Sequence, residues 1–539
     1  MAEMVDKASF NRILLFIWAI LAGYPLLKGQ EPGKEVIRAI RSGDTLYLLQ
    51  YLHVDESLST EKINPGYKPG LLLPWAVENK NAAVVKFLLD MGASPDQMFK
   101  GSPLLIRAIL HNETEIVKQL LDSGADPDLR DADGLTAVHW AVIKRNFPLL
   151  LQLFESGASL NLKDKKGRLP IDFVKADHPS VFREFLMLRS QIQRKAENWI
   201  KEADGPYVFH DAAGSFWFSI SPYHSFYRLY RQSITDESRP LLVPMLGYRW
   251  PIVISQNYAP DTAILSMPEQ MLAVGDLHGQ LDDLIRLLKA AQVVDSALNW
   301  KFGKGYLVFL GDFTDRGSQV TELLWFVLHL RHQAAQHGGK VLAILGNHDM
   351  MSMLGDHRYL NPKYQQICEY FGLEYWSFFD RDTELGRFLR SLPVILKIGD
   401  NLIVHAGISH ELMSTKPDIN SLNSAFYAFN NTFPPRLNAQ MDFLLRENGP
   451  IWYRGLIPDY DLRQQGSQQL VDSIAEWFGV QRIIIGHSEV PEIRPLYQGK
   501  VIPINVPLGR EGVKPQALLW IGDSLYVVDV NGTTKPIRP

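Results

Sequence analysis

Five apolar runs in the second half of the chain each end at a short polar cluster, and this pattern constrains the fold most. The runs cover residues 271–274, 306–310, 341–345, 402–404 and 482–485. Their length and composition predict buried strands. Open α/β sheets place their functional side chains at the carboxyl ends of the strands, so we expect the polar clusters to meet there.

Six polar clusters recur in a fixed order and carry the chemistry. They are Gly275-Asp276-Leu277-His278-Gly279, Gly311-Asp312-Phe313-Thr314-Asp315-Arg316-Gly317, Gly346-Asn347-His348-Asp349, His405-Ala406-Gly407, Trp452-Tyr453-Arg454-Gly455 and Gly486-His487-Ser488. Oxygen donors mixed with imidazoles in this way suit divalent transition metals. Two such ions about 4 Å apart can bridge a hydroxide and clamp a phosphoryl group. The clusters therefore predict the hydrolysis of a phosphate ester.

These clusters resemble the phosphoprotein phosphatase family of metallophosphoesterases, whose pattern is GDxHG, GDxxDRG, GNH[ED], HxG and GH[ST]. The chain is most similar to the Shewanella-like branch, through residues 204–209, 354–359 and 449–454. The resemblance spans about residues 200 to 535. It implies a mixed α+β and α/β catalytic domain, a β-sandwich flanked by helices, at residues 205–539.

The resemblance also implies a cofactor of two divalent metal ions, which would be Mn, Fe or Zn. Asp276 and His278 are expected to hold one ion, and Asp312 to bridge both because its carboxylate has two oxygens. The other ion is expected at Asn347, His405 and His487.

Chemistry and family pattern together suggest roles for four further residues. His348 would protonate the leaving oxygen, and Asp315 would orient its ring. Arg316 and Arg454 would bind the phosphate oxygens with their guanidinium forks. The nucleophile would be a metal-bridging hydroxide that attacks phosphorus in line.

The chain departs from the branch pattern at Gln280, Asp349, Ser488 and Asn505, none of which removes a predicted ligand. Asp349 stands where the branch usually has Glu and resembles the GNHD of diadenosine tetraphosphatases. A dinucleoside polyphosphate hydrolase is therefore one alternative to a phosphatase acting on phosphoproteins or small phosphate esters. The other alternative is a scaffold with an inactive phosphatase domain, although the complete set of ligands argues against it.

Residues 34–190 repeat with a period near 33. Ala76, Ala108 and Ala141 are spaced by 32 and 33 residues, and a Gly-Ala turn recurs at the same intervals. The 136–141 segment is close to TPLHxA, so the region resembles ankyrin repeats and predicts an all-α solenoid that binds a protein partner. His139 is expected to tie its turn, and residues 191–204 to form a linker.

The N-terminal residues carry a separate signal. Residues 13–27 lack charged side chains, which predicts a signal peptide or signal anchor within residues 1–30. The protein would then be exported or anchored to a membrane, on the periplasmic side if it is bacterial. A buried first helix in a cytoplasmic protein is the alternative.

Composition limits the remaining possibilities. The formal net charge of −4 argues against a nucleic-acid partner, and the single cysteine excludes an intramolecular disulfide. The aromatic segment at 207–251 is expected to form a hairpin that packs on the catalytic core. The tail at 517–530 predicts two closing strands.

Overall fold

The computed structural model describes ten stretches of the chain: residues 33–52, 69–196, 202–211, 214–223, 226–234, 250–255, 258–260, 262–432, 437–458 and 466–537. The chain divides into two compact units. The first comprises Met1–Asn198 and Tyr223–Tyr230, and the second comprises Trp199–Pro222 and Arg231–Pro539.

The first unit is built from pairs of short helices. They are α1 Lys34–Ser42, α2 Thr45–Leu52, α3 Leu73–Glu78, α4 Ala82–Asp90, α5 Leu104–Leu110, α6 Thr114–Asp122, α7 Ala137–Ile143, α8 Phe147–Glu155 and α9 Ser180–Ala196. A 3₁₀ turn at Pro170–Phe173 stands where α9 would have its partner helix. A ladder of two short strands, β1 Met98–Phe99 and β2 Ser102–Pro103, is the exception to the predicted all-α character.

Capping and burial explain these helices. The side chains of Asn81 and Asn146 accept hydrogen bonds from Val84 N and Leu149 N, which fixes the starts of α4 and α8. Gly124, at φ 88°, allows the left-handed turn that follows α6. The apolar faces of the helices pack on neighbouring pairs, as expected of stacked repeats.

The predicted role of His139 is confirmed. Its buried Nδ1 lies 2.9 Å from Thr136 Oγ1 and accepts from Thr136 N at 3.1 Å. Its Nε2 lies 3.3 Å from the carbonyl oxygen of Arg168 in the next turn. The imidazole therefore links adjacent turns of the repeats.

One segment from beyond the repeats belongs to the first unit. Arg228, which is 2% exposed, donates to the carbonyl oxygens of Ser156 at 2.6 Å and Ala125 at 2.7 Å. The sequence had predicted that residue 228 belongs to the catalytic domain at 205–539. These contacts could not be predicted, because they span 72 and 103 residues and leave no local pattern in the sequence. The predicted linker at 191–204 overlaps the end of α9 and the start of β3 at Asp204.

The second unit contains two main sheets. Strand bounds are β3 Asp204–Asp211, β4 Gly214–Tyr223, β5 Phe226–Ile234, β6 Ile264–Leu265, β7 Gln270–Val274, β8 Tyr306–Phe309, β9 Lys340–Ala343, β10 Ile395–Ile398, β11 Asn401–Val404, β12 Arg482–Ile485, β13 Val501–Pro503, β14 Gln516–Ile521, β15 Ser524–Asp529 and β16 Thr534–Pro536. One sheet has the order β16-β15-β14-β7-β8-β9, and the other β13-β12-β11-β10-β6. Strands β7, β8 and β9 are parallel, as are β11, β12 and β13. All five apolar runs predicted as strands are strands.

Helices accompany these sheets. They are α10 Leu281–Ala290, α11 Val320–Gln336, α12 Asn347–Leu354, α13 Pro362–Phe371, α14 Glu384–Ser391, α15 His410–Ser414, α16 Ile419–Asn431, α17 Ala439–Leu444 and α18 Gln468–Phe478, with a 3₁₀ turn at Tyr375–Phe379. Helical repeats followed by a domain of mixed sheets and helices were predicted, and this architecture is the one observed.

A third sheet, β3-β4-β5, carries the described part of the aromatic segment, and the first residues of β5 are among those assigned to the first unit. The ring of Phe209 stacks on Phe216 and Phe218, each with a centroid separation of 5.3 Å. Tyr207 stacks on Phe378 at 4.0 Å. These rings pack on one another and on the catalytic unit, as predicted.

The predicted N-terminal signal lies outside the described residues. Across the stretches that the structure describes, none of the helices has the length and apolar character needed to cross a membrane.

Candidate metal centre

The carboxyl ends of β7, β8, β9, β11 and β12 deliver the predicted ligands to one buried region. Two groups of potential ligand atoms occur there, and within each group the atoms lie within 4.8 Å of one another. One group is His278, Asp312 and His348, and the other is Asp312, His405 and His487. Asp312 belongs to both, so its carboxylate lies where a bridge between two ions would be.

The backbone at the site is held in an uncommon conformation. Five predicted site residues have positive φ: His278 at 43°, Asp312 at 51°, Asp315 at 67°, Arg316 at 62° and His487 at 57°. Residues other than glycine rarely adopt this region, and each costs of order 1–3 kcal/mol. Such conformations concentrate at functional sites, where the surrounding structure maintains them.

Close approach of backbone to ligand explains two of the motif glycines. A Cβ added at Gly486 would lie 2.6 Å from Asp276 Oδ1, and one at Gly346 would overlap the carboxylate of Asp312. A larger residue at either position would displace a predicted ligand.

Hydrogen bonds orient the two predicted aspartate ligands. Asp276 accepts from His487 N at 3.0 Å through Oδ1 and from Asn505 Nδ2 at 2.5 Å through Oδ2. Asp312 accepts from His348 N at 2.9 Å. Each carboxylate is therefore fixed before any ion binds.

The imidazoles are oriented in the same way. His278 Nδ1 lies 2.9 Å from Thr314 O, and His405 Nδ1 lies 2.6 Å from Leu310 O. A carbonyl oxygen only accepts, so both Nδ1 atoms carry a proton, and Nε2 is the atom of each ring left to bind a metal once it carries no proton. Such backbone partners are typical of imidazoles that bind metal.

The buried donors fit a pair of divalent ions. The Nε2 atoms of His278 and His487 are buried and have no hydrogen-bond partner among the described residues. Burial lowers the pKa of His278 to about 3 and that of His487 well below its usual value, which keeps both rings neutral as ligation requires. Burial also disfavours charge on His405, but Asp312 and Asp276 outweigh it and raise its pKa to about 9. His405 Nε2 lies 3.1 Å from Asn347 Oδ1 and 3.4 Å from Asp312 Oδ2, so a cation is favoured between these groups.

His348, which belongs to one of the two groups, also pairs with Asp315. His348 Nδ1 lies 2.7 Å from Asp315 Oδ2, and its ring lies 4.7 Å from that of His278. Burial lowers the pKa of His348, but Asp312 and Asp315 outweigh burial and raise it. The ring is thus held with Nδ1 occupied, and Nε2 is the atom left for another role.

The two predicted phosphate-binding arginines lie at the same region. Arg316 is exposed, and its Nη1 lies 3.2 Å from Glu489 Oε1. Arg454 is half-buried, and its Nη1 lies 3.4 Å from both His487 O and Ser488 Oγ. Arg454 therefore contacts the predicted ligand His487, and Arg316 is paired with a residue two positions after it.

Sequence reasoning missed the importance of Asp349, which it treated only as a departure from a family pattern. This carboxylate is fully buried and accepts from the backbone N–H groups of Gly346, Asp312, Phe313 and Thr314 at 2.8–3.2 Å. It therefore joins the loops after β8 and β9. The only sequence signal was an acidic residue beside a predicted ligand.

Both parts of the chain are similar to known proteins. The family model for the calcineurin-like phosphoesterases matches residues 270–491, and the model for ankyrin repeats in three copies matches residues 38–164. An uncharacterized protein of Schizosaccharomyces pombe is 28% identical over 49% of this chain and 80% of its own length. Shewanella-like protein phosphatase 1 of Plasmodium berghei is 25% identical over 41% of this chain and 62% of its own length.

A solved structure is similar in the same region. The cold-active protein tyrosine phosphatase of a psychrophilic Shewanella species is 31% identical, with a TM-score of 0.57. The match covers 62% of this chain and 100% of that one. The chain therefore belongs to the calcineurin-like metallophosphoesterases, with homologues among the Shewanella-like protein phosphatases, and it carries ankyrin repeats. Members of this family use a dinuclear metal site, and the comparisons support a phosphoric monoester hydrolase.

Proposed function

We propose that the chain is a metal-dependent phosphatase that hydrolyses phosphomonoesters, with phosphoproteins as its substrates and the ankyrin repeats for targeting. One observation carries the proposal. Two groups of buried potential ligands share Asp312, and His348, a member of one group, is held by Asp315 through its Nδ1.

The residues divide the chemistry as follows. Asp276, His278, Asp312, Asn347, His405 and His487 would hold two divalent ions, which supply a hydroxide at neutral pH and clamp the phosphoryl group. His348 donates a proton from Nε2 to the leaving oxygen, while Asp315 accepts from Nδ1 and fixes the ring. Arg316 and Arg454 bind the phosphate oxygens.

Phosphoprotein substrates are favoured over the alternatives. Two of the three relatives described above are protein phosphatases by name, and one of these is a tyrosine phosphatase, which supports activity on phosphotyrosine. The argument for dinucleoside polyphosphates was Asp349, but that side chain is buried and bonded to backbone, so it cannot select a substrate. An inactive scaffold would be expected to have lost a ligand, and all six positions retain side chains that can bind a metal.

The division of labour follows the two units. All predicted site residues lie between 276 and 487, in the second unit, and the repeats at 34–190 supply none of them. We infer that the repeats recruit the phosphoprotein and that residues 205–539, apart from Tyr223–Tyr230, perform the hydrolysis.

Substrate preference tests the proposal directly. Purified full-length protein is treated with chelator, reloaded separately with Mn, Fe or Zn, and assayed on phosphotyrosine peptide, phosphoserine peptide and diadenosine tetraphosphate. Metal-restored release of phosphate from a peptide is expected. Turnover of diadenosine tetraphosphate alone would contradict the phosphoprotein assignment, and no turnover of any substrate by metal-loaded protein would contradict the enzyme assignment.

A further inference from the structure

A cavity of about 380 Å³ opens beside the candidate metal centre, within the second unit. Asp276, His278 and the loop at 507–511 contribute to its lining. Two arginines and two glutamates also line it: Arg316, Glu489, Arg510 and Glu511. The cavity therefore combines predicted ligands and Arg316 with three charged side chains to which no role has yet been assigned.

Glu489 joins the two arginines. Its Oε1 lies 3.2 Å from Arg316 Nη1, and its Oε2 lies 2.7 Å from Arg510 Nη2. The Glu489 side chain is 26% exposed, whereas those of Arg316 and Arg510 are 44% and 55% exposed. The pair is thus accessible to solvent and can open without unfolding anything around it.

Hydrogen bonds hold the main chain of Arg316 in place, so Arg316 can change its binding partner only by moving its side chain. Arg316 N donates to Tyr359 O at 3.0 Å, and Asn361 Nδ2 donates to Arg316 O at 2.7 Å. Glu489 follows two residues after His487 and is tied to the metal centre by the chain itself. The guanidinium must therefore leave Glu489 to reach a phosphate bound at that centre.

We infer that Glu489 is an internal competitor of the substrate phosphate for Arg316. The inference rests on the proposed function, in which Arg316 binds phosphate oxygens. Substrate binding exchanges one anionic partner of Arg316 for another, and Arg510 keeps the Glu489 carboxylate paired after the exchange. Glu489 is a positioning residue in this scheme, because it acts on the substrate through Arg316.

The competition lowers affinity for every phosphate monoester by the free energy of the Glu489–Arg316 pair. Exposed ion pairs of this kind contribute little, so the expected factor is about 2- to 5-fold. The effect belongs to the binding step, since the pair is already open when phosphate is bound. KM should therefore change and kcat should change much less.

Glu511 provides the matched control. It lines the same cavity and carries the same charge, and it lies in the same loop as Arg510. Glu489→Gln should lower KM for p-nitrophenyl phosphate about 2- to 5-fold. The inhibition constant of inorganic phosphate should fall by a similar factor. Glu511→Gln should leave both values near those of the unaltered protein.

The variant Arg316→Ala completes a double-mutant cycle with Glu489→Gln. If Glu489 acts through Arg316, Glu489→Gln has no further effect on phosphate affinity in the Arg316→Ala background. Equal effects of Glu489→Gln and Glu511→Gln would overturn the inference in favour of general cavity charge. Persistence of the Glu489→Gln effect without Arg316 would overturn it as well.

A binding measurement separates this inference from the proposed function. Calorimetric titration of metal-loaded protein with inorganic phosphate reports the competition without any turnover. Tighter phosphate binding by Glu489→Gln in a protein that hydrolyses nothing would support the competitor and contradict the enzyme. Normal hydrolysis with unchanged phosphate affinity in that variant would support the enzyme assignment and contradict the competitor role of Glu489.

Discussion

At the scale of single residues, the carboxylate of Asp312 is the most important for metal binding, because it belongs to both groups of potential ligands. We expect Asp312→Asn to reduce bound metal from about two ions per chain to one or fewer and to remove most activity, because an amide has only one oxygen to share. Elemental analysis beside a p-nitrophenyl phosphate assay measures both. Asp442→Asn, which changes an exposed carboxylate paired with Arg446, is the control. Full metal content in Asp312→Asn would refute the bridging role.

The His348–Asp315 pair gives a second prediction. His348→Asn should retain metal and lose about 10²–10⁴ in kcat, because the leaving oxygen then lacks its proton donor. The loss should shrink for p-nitrophenyl phosphate, whose leaving group needs little protonation, compared with a phosphoserine peptide. Asp315→Asn should show the same leaving-group pattern with a smaller loss. Equal losses on both substrates would exclude an acid role for His348.

Asp349 is a buried carboxylate whose predicted role is to stabilise the fold, because it accepts hydrogen bonds from four backbone N–H groups. We expect Asp349→Asn to lower the free energy of unfolding by about 2–3 kcal/mol, because an amide turns a donor toward backbone N–H groups that need an acceptor. Denaturant unfolding of the metal-free protein isolates this effect from metal loss. Unchanged stability there would show that the four backbone contacts are dispensable.

At the scale of elements, the sequence predicted best where a short apolar run ends in a glycine cluster. Strands β7, β8, β9, β11 and β12 were all anticipated, because burial on both faces leaves an uninterrupted apolar run. The strands around Gly522 were anticipated for a similar reason, with a turn between two apolar runs.

Residues that act across long separations were not predictable. Asn505 reaches Asp276 over 229 positions, and Arg228 reaches Ala125 over 103. Neither contact leaves a period or spacing in the chain. Such partners come from the packing of elements, so they emerge only once the sheets are assembled.

Another assembled feature is an ion cluster that joins three elements. Lys363 Nζ at the start of α13 lies 3.2 Å from Asp204 Oδ1 in β3 and 3.1 Å from Glu322 Oε1 in α11. It also donates to Ser318 O at 2.7 Å, next to the loop that carries Arg316. The side chains of Lys363 and Asp204 are 3% and 0% exposed and that of Glu322 is 17% exposed, so solvent screens the cluster little.

Loss of the cation from this cluster should be severe. Lys363→Met should cost about 3–5 kcal/mol of unfolding free energy, because it leaves the buried carboxylate of Asp204 and the largely buried one of Glu322 without their cation. Denaturant unfolding measures the cost. Arg446→Met, in an exposed pair with Asp442, should have little effect by comparison. If both substitutions change the free energy of unfolding by similarly small amounts, the ion cluster does not stabilise the packing of these three elements.

At the scale of the whole molecule, the chain combines a unit with all predicted ligands and a unit of repeats. Each site contact described above is internal to the second unit. Repeats bury their apolar faces on their neighbours and leave extended surfaces for partners. Chemistry and recognition are therefore expected to separate.

A truncated protein that begins at Trp199 tests this separation. It should bind metal and hydrolyse p-nitrophenyl phosphate with kcat and KM close to those of the full chain, because no predicted ligand is removed. It should lose selectivity for its phosphoprotein target, and the repeats alone should still capture that target. Truncation also removes the partners of Arg228, so full-length Arg228→Ala is the control for that loss. If the truncated protein is soluble and metal-loaded but inactive, while Arg228→Ala is active, the repeats contribute to catalysis and the separation does not hold.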